Sequence, residues 1–172
     1  DNTSKVAYRQ LARAYDRSEM FQQASESYEE LFKLDPRDFR VAIQVSEVNI
    51  AGGNFGKAMR WAEKAINSSK SGQAYAQRGN VYYKSFQECR SADISIDDRI
   101  VASLAHKSFA AAEENDYRRF HNSLVWLEEN EVLFGRSHWF MLDANKKKQG
   151  YVKPDSECYK WVEKKLDKDP NW

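Results

Sequence analysis

The sequence predicts an all-α fold, a stack of antiparallel helix pairs closed by a C-terminal capping extension. Three observations carry this. Only seven glycines and three prolines punctuate 172 residues, too few for many short strands joined by tight turns. Apolar residues recur at three- and four-residue steps, which gathers them on one helical face. A two-helix pattern also returns after 34 residues, as repeat architectures require.

The first pair of helices falls in residues 4–34. Tyr8, Leu11, Ala12 and Tyr15 share one face of the first helix; Ala24, Tyr28 and Leu31 share one face of the second. Asp35-Pro36 follows, and a proline cannot continue a helix. In the second unit Ala42, Val45, Ser46 and Asn49 replace the first set, and Ala58, Ala62 and Ala65 the second, with a tight turn expected over 52–58. The third unit begins with Tyr75, Gly79 and Tyr82 and resumes with Ala105, Phe109 and Ala112. Gly79 and Ala105 are 26 residues apart where Ala12 and Ala24 are 12 apart, so about 14 residues are inserted. Two helices lengthened by a turn or more, with a loop near 90–97, accommodate them. Asp97 and Asp98 then open the following helix, where the macrodipole favours negative charge.

After Tyr117 the repeat fades. One more helix is expected to bring Phe120, Leu124, Leu127 and Leu133 against the stack. Residues 135–154 show no period and are expected to be irregular or partly extended. A last helix over 155–166 would turn Cys158, Trp161, Val162 and Leu166 onto the apolar end, since a helical stack needs a cap. The domain plan is therefore a repeat domain over 1–134 with units near 4–37, 38–71 and 72–117, followed by a capping segment over 135–172.

These spacings resemble the tetratricopeptide repeat (TPR), a 34-residue helix–turn–helix with the pattern W-x2-L-G-x2-Y…A-x3-F-x2-A…P. The likeness covers residues 4–117. It departs at Asn49, where an aromatic is common, at Lys70, where proline is common, and at the insertion near 85–98. It implies a right-handed α-solenoid in which small residues meet where the helices of a pair cross, Ala12 against Ala24 and Ser46 against Ala58. It also implies a concave groove lined by the first helix of each unit. Arg9, Arg13 and Arg17 would line its first stretch, Ile43, Gln44, Glu47 and Ile50 its second, and Gln73, Gln77, Asn80 and Lys84 its third. Amides and guanidinium groups suit an extended peptide, because they hydrogen-bond its main chain and its carboxylates. Some relatives clamp the acidic tails of heat-shock chaperones, but Arg9, Arg13, Gln44, Gln73 and Gln77 do not supply that lysine–asparagine–arginine set.

Composition excludes several other classes. Twenty-seven basic residues against 26 acidic ones leave a formal charge of +1, without the basic excess of a nucleic-acid module. No apolar run approaches the about 18 residues of a membrane span. Cys89 and Cys158 are too few for a disulfide framework and read as free thiols, with a pair left open. Beginning at Asp1, the chain reads as a fragment or a processed product, which leaves its compartment open.

Chemistry finds little support. His106, His121 and His138 lack metal-ligand spacing, and no glycine-rich loop cradles phosphate. Glu113-Glu114 and Glu128-Glu129 point apart on their helices. His121 shares a helix with Glu128. Trp139, Phe140 and Lys146–Lys148 read as an anchored, exposed loop, with contact to an anionic surface as the minor alternative. The expectation is thus a protein-interaction scaffold without cofactor, metal or catalytic residues. Its partner would be a protein or extended peptide, acidic ones included, with no nucleic acid and no membrane span. Self-association and a regulatory arm of a larger protein are the alternatives.

Overall fold

A computed structural model describes residues 1–172. Six long helices come first: α1 (Asn2–Arg17), α2 (Phe21–Leu34), α3 (Phe39–Ala51), α4 (Phe55–Ser69), α5 (Gly72–Cys89) and α6 (Ile96–Glu114). Each packs against the next, and α3 also meets α5 directly. No helix is long and apolar enough to cross a membrane.

The helix starts follow local chemistry. Asp38 accepts from Arg40 N at 3.1 Å, Asn54 from Lys57 N at 3.2 Å and Ser71 from Ala74 N at 3.3 Å, each capping an orphan donor. Ser95 and Asp98 form a reciprocal capping box at the head of α6. Asp97 and Asp98 occupy its first turn, in line with the expectation from charge. Lys70, the residue standing where a proline is common, ends α4 in the left-handed conformation at φ 49°.

The pairs close on small side chains. Ala12, Ala24, Ser46, Ala58 and Ala105 have no exposed surface. Ser46 donates from Oγ to the Ala58 carbonyl at 2.8 Å, which fixes the α3–α4 crossing. At Gly79 the approach is closest, because a β-carbon there would sit 2.5 Å from Phe109 Cδ1. Asn49 is buried for a polar reason. Its amide donates to Ser25 Oγ and to the Val45 carbonyl, Ser25 donates to Glu29, and Glu29 pairs with Lys57. A polar ladder replaces the usual aromatic and ties α2 to α3 and α4.

The insertion lengthens α5 and α6 to 18 and 19 residues. The C-terminal segment fastens to it at Cys89, Asp97 and Asp98, while residues 90–93 stay exposed. After α7 (His121–Glu129) come two short helices, α8 (Arg136–Met141) and α9 (Ala144–Gln149), in the stretch expected to be irregular. Two-residue strands then pair antiparallel, β1 (Tyr151–Val152) with β2 (Leu166–Asp167).

The helix expected over 155–166 is absent. Only a 3-10 turn at Glu157–Tyr159 forms, and the rest runs as a strap along α5 and α6. Tertiary anchors outweigh helical spacing here. Asp97 Oδ2 accepts from Asp155 N at 3.0 Å and Ser156 N at 2.7 Å, and Tyr159 Oη donates to Asp98 Oδ1 at 2.6 Å. Trp161 stacks between Phe55 and Tyr82 at 6.0 and 5.8 Å. The cysteines are not free: Cys89 and Cys158 form a disulfide, because the lengthened α5 carries Cys89 to the strap. Val152, Tyr159, Val162 and Leu166 share one core with α5, α6 and α7.

Candidate functional site

The side chains of α1 and α3 bring charged groups together around an open cavity. Arg13, Asp16 and Arg17 from α1, Tyr28 from α2, and Gln44, Glu47 and Val48 from α3 surround an open cavity of about 370 Å³. The four-residue step from Arg13 to Arg17 puts both guanidinium groups on one side of α1. The same logic, with a three-residue step, places Gln44 beside Glu47.

Four of the nine polar residues expected in the groove therefore meet: Arg13, Arg17, Gln44 and Glu47. Arg9 lies on the same helix but is engaged 3.9 Å from Asp38, at the head of α3. Asn80 is half-buried on α5, next to α3, while Gln73 is half-buried and Lys84 exposed at opposite ends of α5. None of these three lines the cavity. Gln77 must be withdrawn from the groove. It is 3% exposed, and its Nε2 donates to Ser46 Oγ at 2.9 Å, so it joins α5 to α3 inside the core. Ile43, likewise, is buried.

Two amide oxygens stand out. Gln44 Oε1 and Asn80 Oδ1 are buried with no hydrogen-bond partner. An unpaired buried acceptor costs about 1–3 kcal/mol, and of the two residues only Gln44 borders the cavity. Arg119, not among the expected groove residues, adds a further cation. It lies just ahead of α7 and reaches to 4.0 Å from Glu47 Oε1. The Arg118-Arg119 pair opening the helix after the third unit was the available signal.

The electrostatics follow from this enclosure. Although its side chain is 44% exposed, partial desolvation pushes the Glu47 carboxyl above its ordinary value; Arg119 pulls it back, and Asp16 pushes it further up. Burial likewise raises the Tyr28 phenol, against the pull of Arg13. With Arg119 at its edge, the cavity holds more cationic than anionic groups.

A larger cleft of about 620 Å³ lies between α4 and the strap, lined by Arg60, Glu63, Tyr82, Lys160, Trp161 and Lys164 among others. Its main aromatic, Trp161, is half-buried and packs against Phe55 and Tyr82. The histidines are engaged in pairs. His106 meets Glu128 at 2.7 Å, and His121 meets Glu113, not Glu128, at 2.7 Å. His138 accepts from Gly135 N at 3.0 Å, and burial, with Arg99 nearby, lowers its pKa. No three histidine, cysteine or carboxylate side chains converge on one point.

Trp139 anchors its segment as expected, 4% exposed and 6.0 Å from Trp172. Phe140 does not, being 57% exposed. No protein-family model and no curated protein sequence matches the chain.

Proposed function

We propose that this chain is a TPR-type, right-handed helical solenoid whose concave face binds an extended segment of a protein partner, in a scaffold or adaptor role. The observation that carries this reading is the α1–α3 cavity. Arg13 and Arg17 stand with Gln44 and Glu47 around it, an open site of guanidinium, amide and carboxylate groups. An extended peptide supplies what these groups lack. Its main chain offers hydrogen-bonding groups to the Gln44 amide, and acidic side chains pair with the arginines through charge-assisted bonds. The open shape admits a chain passing through rather than a small molecule enclosed on all sides.

The test is fluorescence anisotropy against a panel of labelled extended peptides graded in acidity, with wild type beside Arg13→Glu/Arg17→Glu. Both arginines are exposed, so the variant keeps its helical circular dichroism. Acidic peptides bind wild type, and the double variant weakens them by about 100-fold, since removing each charge-assisted hydrogen bond costs about 1.5–3 kcal/mol. Equal binding by both proteins, or no dependence on peptide acidity, refutes the groove assignment.

A further inference from the structure

Phe140 and Met141 are the two most exposed large apolar residues in the chain, at 57% and 81%, and they are adjacent. They lie at the end of α8, held outward by their neighbours. Trp139 is buried against Trp172, and Leu142 packs on the core, so the two residues between them have no inward direction left. Cations surround this knuckle. The Arg136 guanidinium stands 5.6 Å from the Phe140 ring centroid and the Lys147 ammonium 6.0 Å. Lys147 also donates to the Phe140 carbonyl at 2.6 Å, which locks α9 beside the tip of α8. Lys146 pairs with Asp155 at 3.4 Å. Lys148 is exposed on the same short helix and meets no carboxylate. Residues 135–172 carry nine basic and six acidic side chains, so the excess of positive charge sits in this segment of a nearly neutral protein.

We propose that this knuckle docks the protein peripherally on the surface of an anionic lipid bilayer. An apolar tip with cations at its base matches the layering of a membrane interface. Phe140 and Met141 enter the acyl boundary while Arg136, Lys147 and Lys148 stay level with the lipid phosphates. Asp143, exposed beside the tip, spends its side chain on capping Lys146 N, so the lysines keep their charge for the phosphates, whereas a protein partner would have to offer an acidic-rimmed pocket. A nucleic acid would satisfy the cations but offers no apolar phase for Met141. This inference is independent of the groove, whose residues lie on α1 and α3.

Vesicle co-sedimentation of the intact, disulfide-bonded protein tests it. The probes are pure phosphatidylcholine vesicles and vesicles with about 30 mol % phosphatidylserine, a fraction that gives the surface a negative potential. Wild type pellets with the anionic vesicles and not with the neutral ones. Phe140→Ser/Met141→Ser weakens that binding by about tenfold or more, because the inserted apolar area is lost. Lys147→Glu/Lys148→Glu removes the preference for anionic lipid. All four positions are on the surface, and circular dichroism verifies that the variants fold. Equal pelleting with both vesicle types overturns the proposal, as does an unimpaired Phe140→Ser/Met141→Ser variant. Tighter binding to a single-stranded oligonucleotide than to anionic vesicles also overturns it and gives the cations to nucleic acid.

Discussion

Gln44 and Gln77 hold equivalent places, each two residues before the small side chain at its helix crossing, yet their amides meet different fates. Gln77 finds the hydroxyl of Ser46 in the preceding unit. The residue 34 positions before Ser46 is Ala12, which has no hydroxyl to accept from the Gln44 amide, and Gln44 lies beside the α1–α3 cavity. The sequence displays two glutamines in register, and nothing in their spacing separates them; the difference lies in the partner 31 residues away. Ser46 is therefore expected to be sensitive. Ser46→Ala breaks the bond to the Ala58 carbonyl and strands the Gln77 amide, at a cost of about 2 kcal/mol in urea denaturation. Adding Gln77→Met to that variant removes the stranded amide and recovers about half of the loss. A Ser46→Ala change that leaves the midpoint unmoved would refute the network.

At the scale of elements, the first six helices were legible because their signals are local. Apolar spacing, Pro36 and the acidic start of α6 each act within a turn or two of the residues they govern. The strap was not legible for the opposite reason. Cys158, Val162 and Leu166 carry helical spacing, but Asp97, Asp98 and Cys89 lie 58 to 69 residues away, and they capture the backbone first. Distant partners leave no mark on local periodicity, so propensity is overridden. The Tyr159–Asp98 bond is the buried centre of this docking. Burial, together with the bond to Asp98, pushes the Tyr159 phenol well above its ordinary range, so it stays a protonated donor at any ordinary pH. Tyr159→Phe leaves Asp98 Oδ1 without that donor and is expected to lower stability by about 1–3 kcal/mol. The loss should appear first as faster amide exchange over residues 155–162, ahead of α1 to α4. Uniform exchange across the chain would mean that the strap does not open on its own.

For the whole molecule, the decisive covalent feature joins two regions that share no repeat. Cys89 ends the inserted length of α5, and Cys158 sits in the strap, so one bond closes a loop of 69 residues around α6, α7, α8 and α9. Pairing of two cysteines depends on their approach in space, and two positions in a sequence cannot announce it. Closing a loop of this length restricts the unfolded chain by about 4 kcal/mol on the chain-entropy estimate. The native state loses little when the bond is cut, because Tyr159, Val162 and Leu166 remain buried in the shared core. Such bonds persist in oxidising compartments, and in a reducing one this contribution would be absent. Cys89→Ser/Cys158→Ser is therefore expected to keep the helical spectrum while unfolding at a clearly lower urea concentration than the oxidised wild type. Reduced wild type should match the double variant, since both lack the same constraint. Should reductant shift the wild type and the double variant equally, the loss would come from elsewhere. Should it shift neither, the thiols would be unpaired in solution and the strap would rest on its packing and on Asp97 and Asp98 alone.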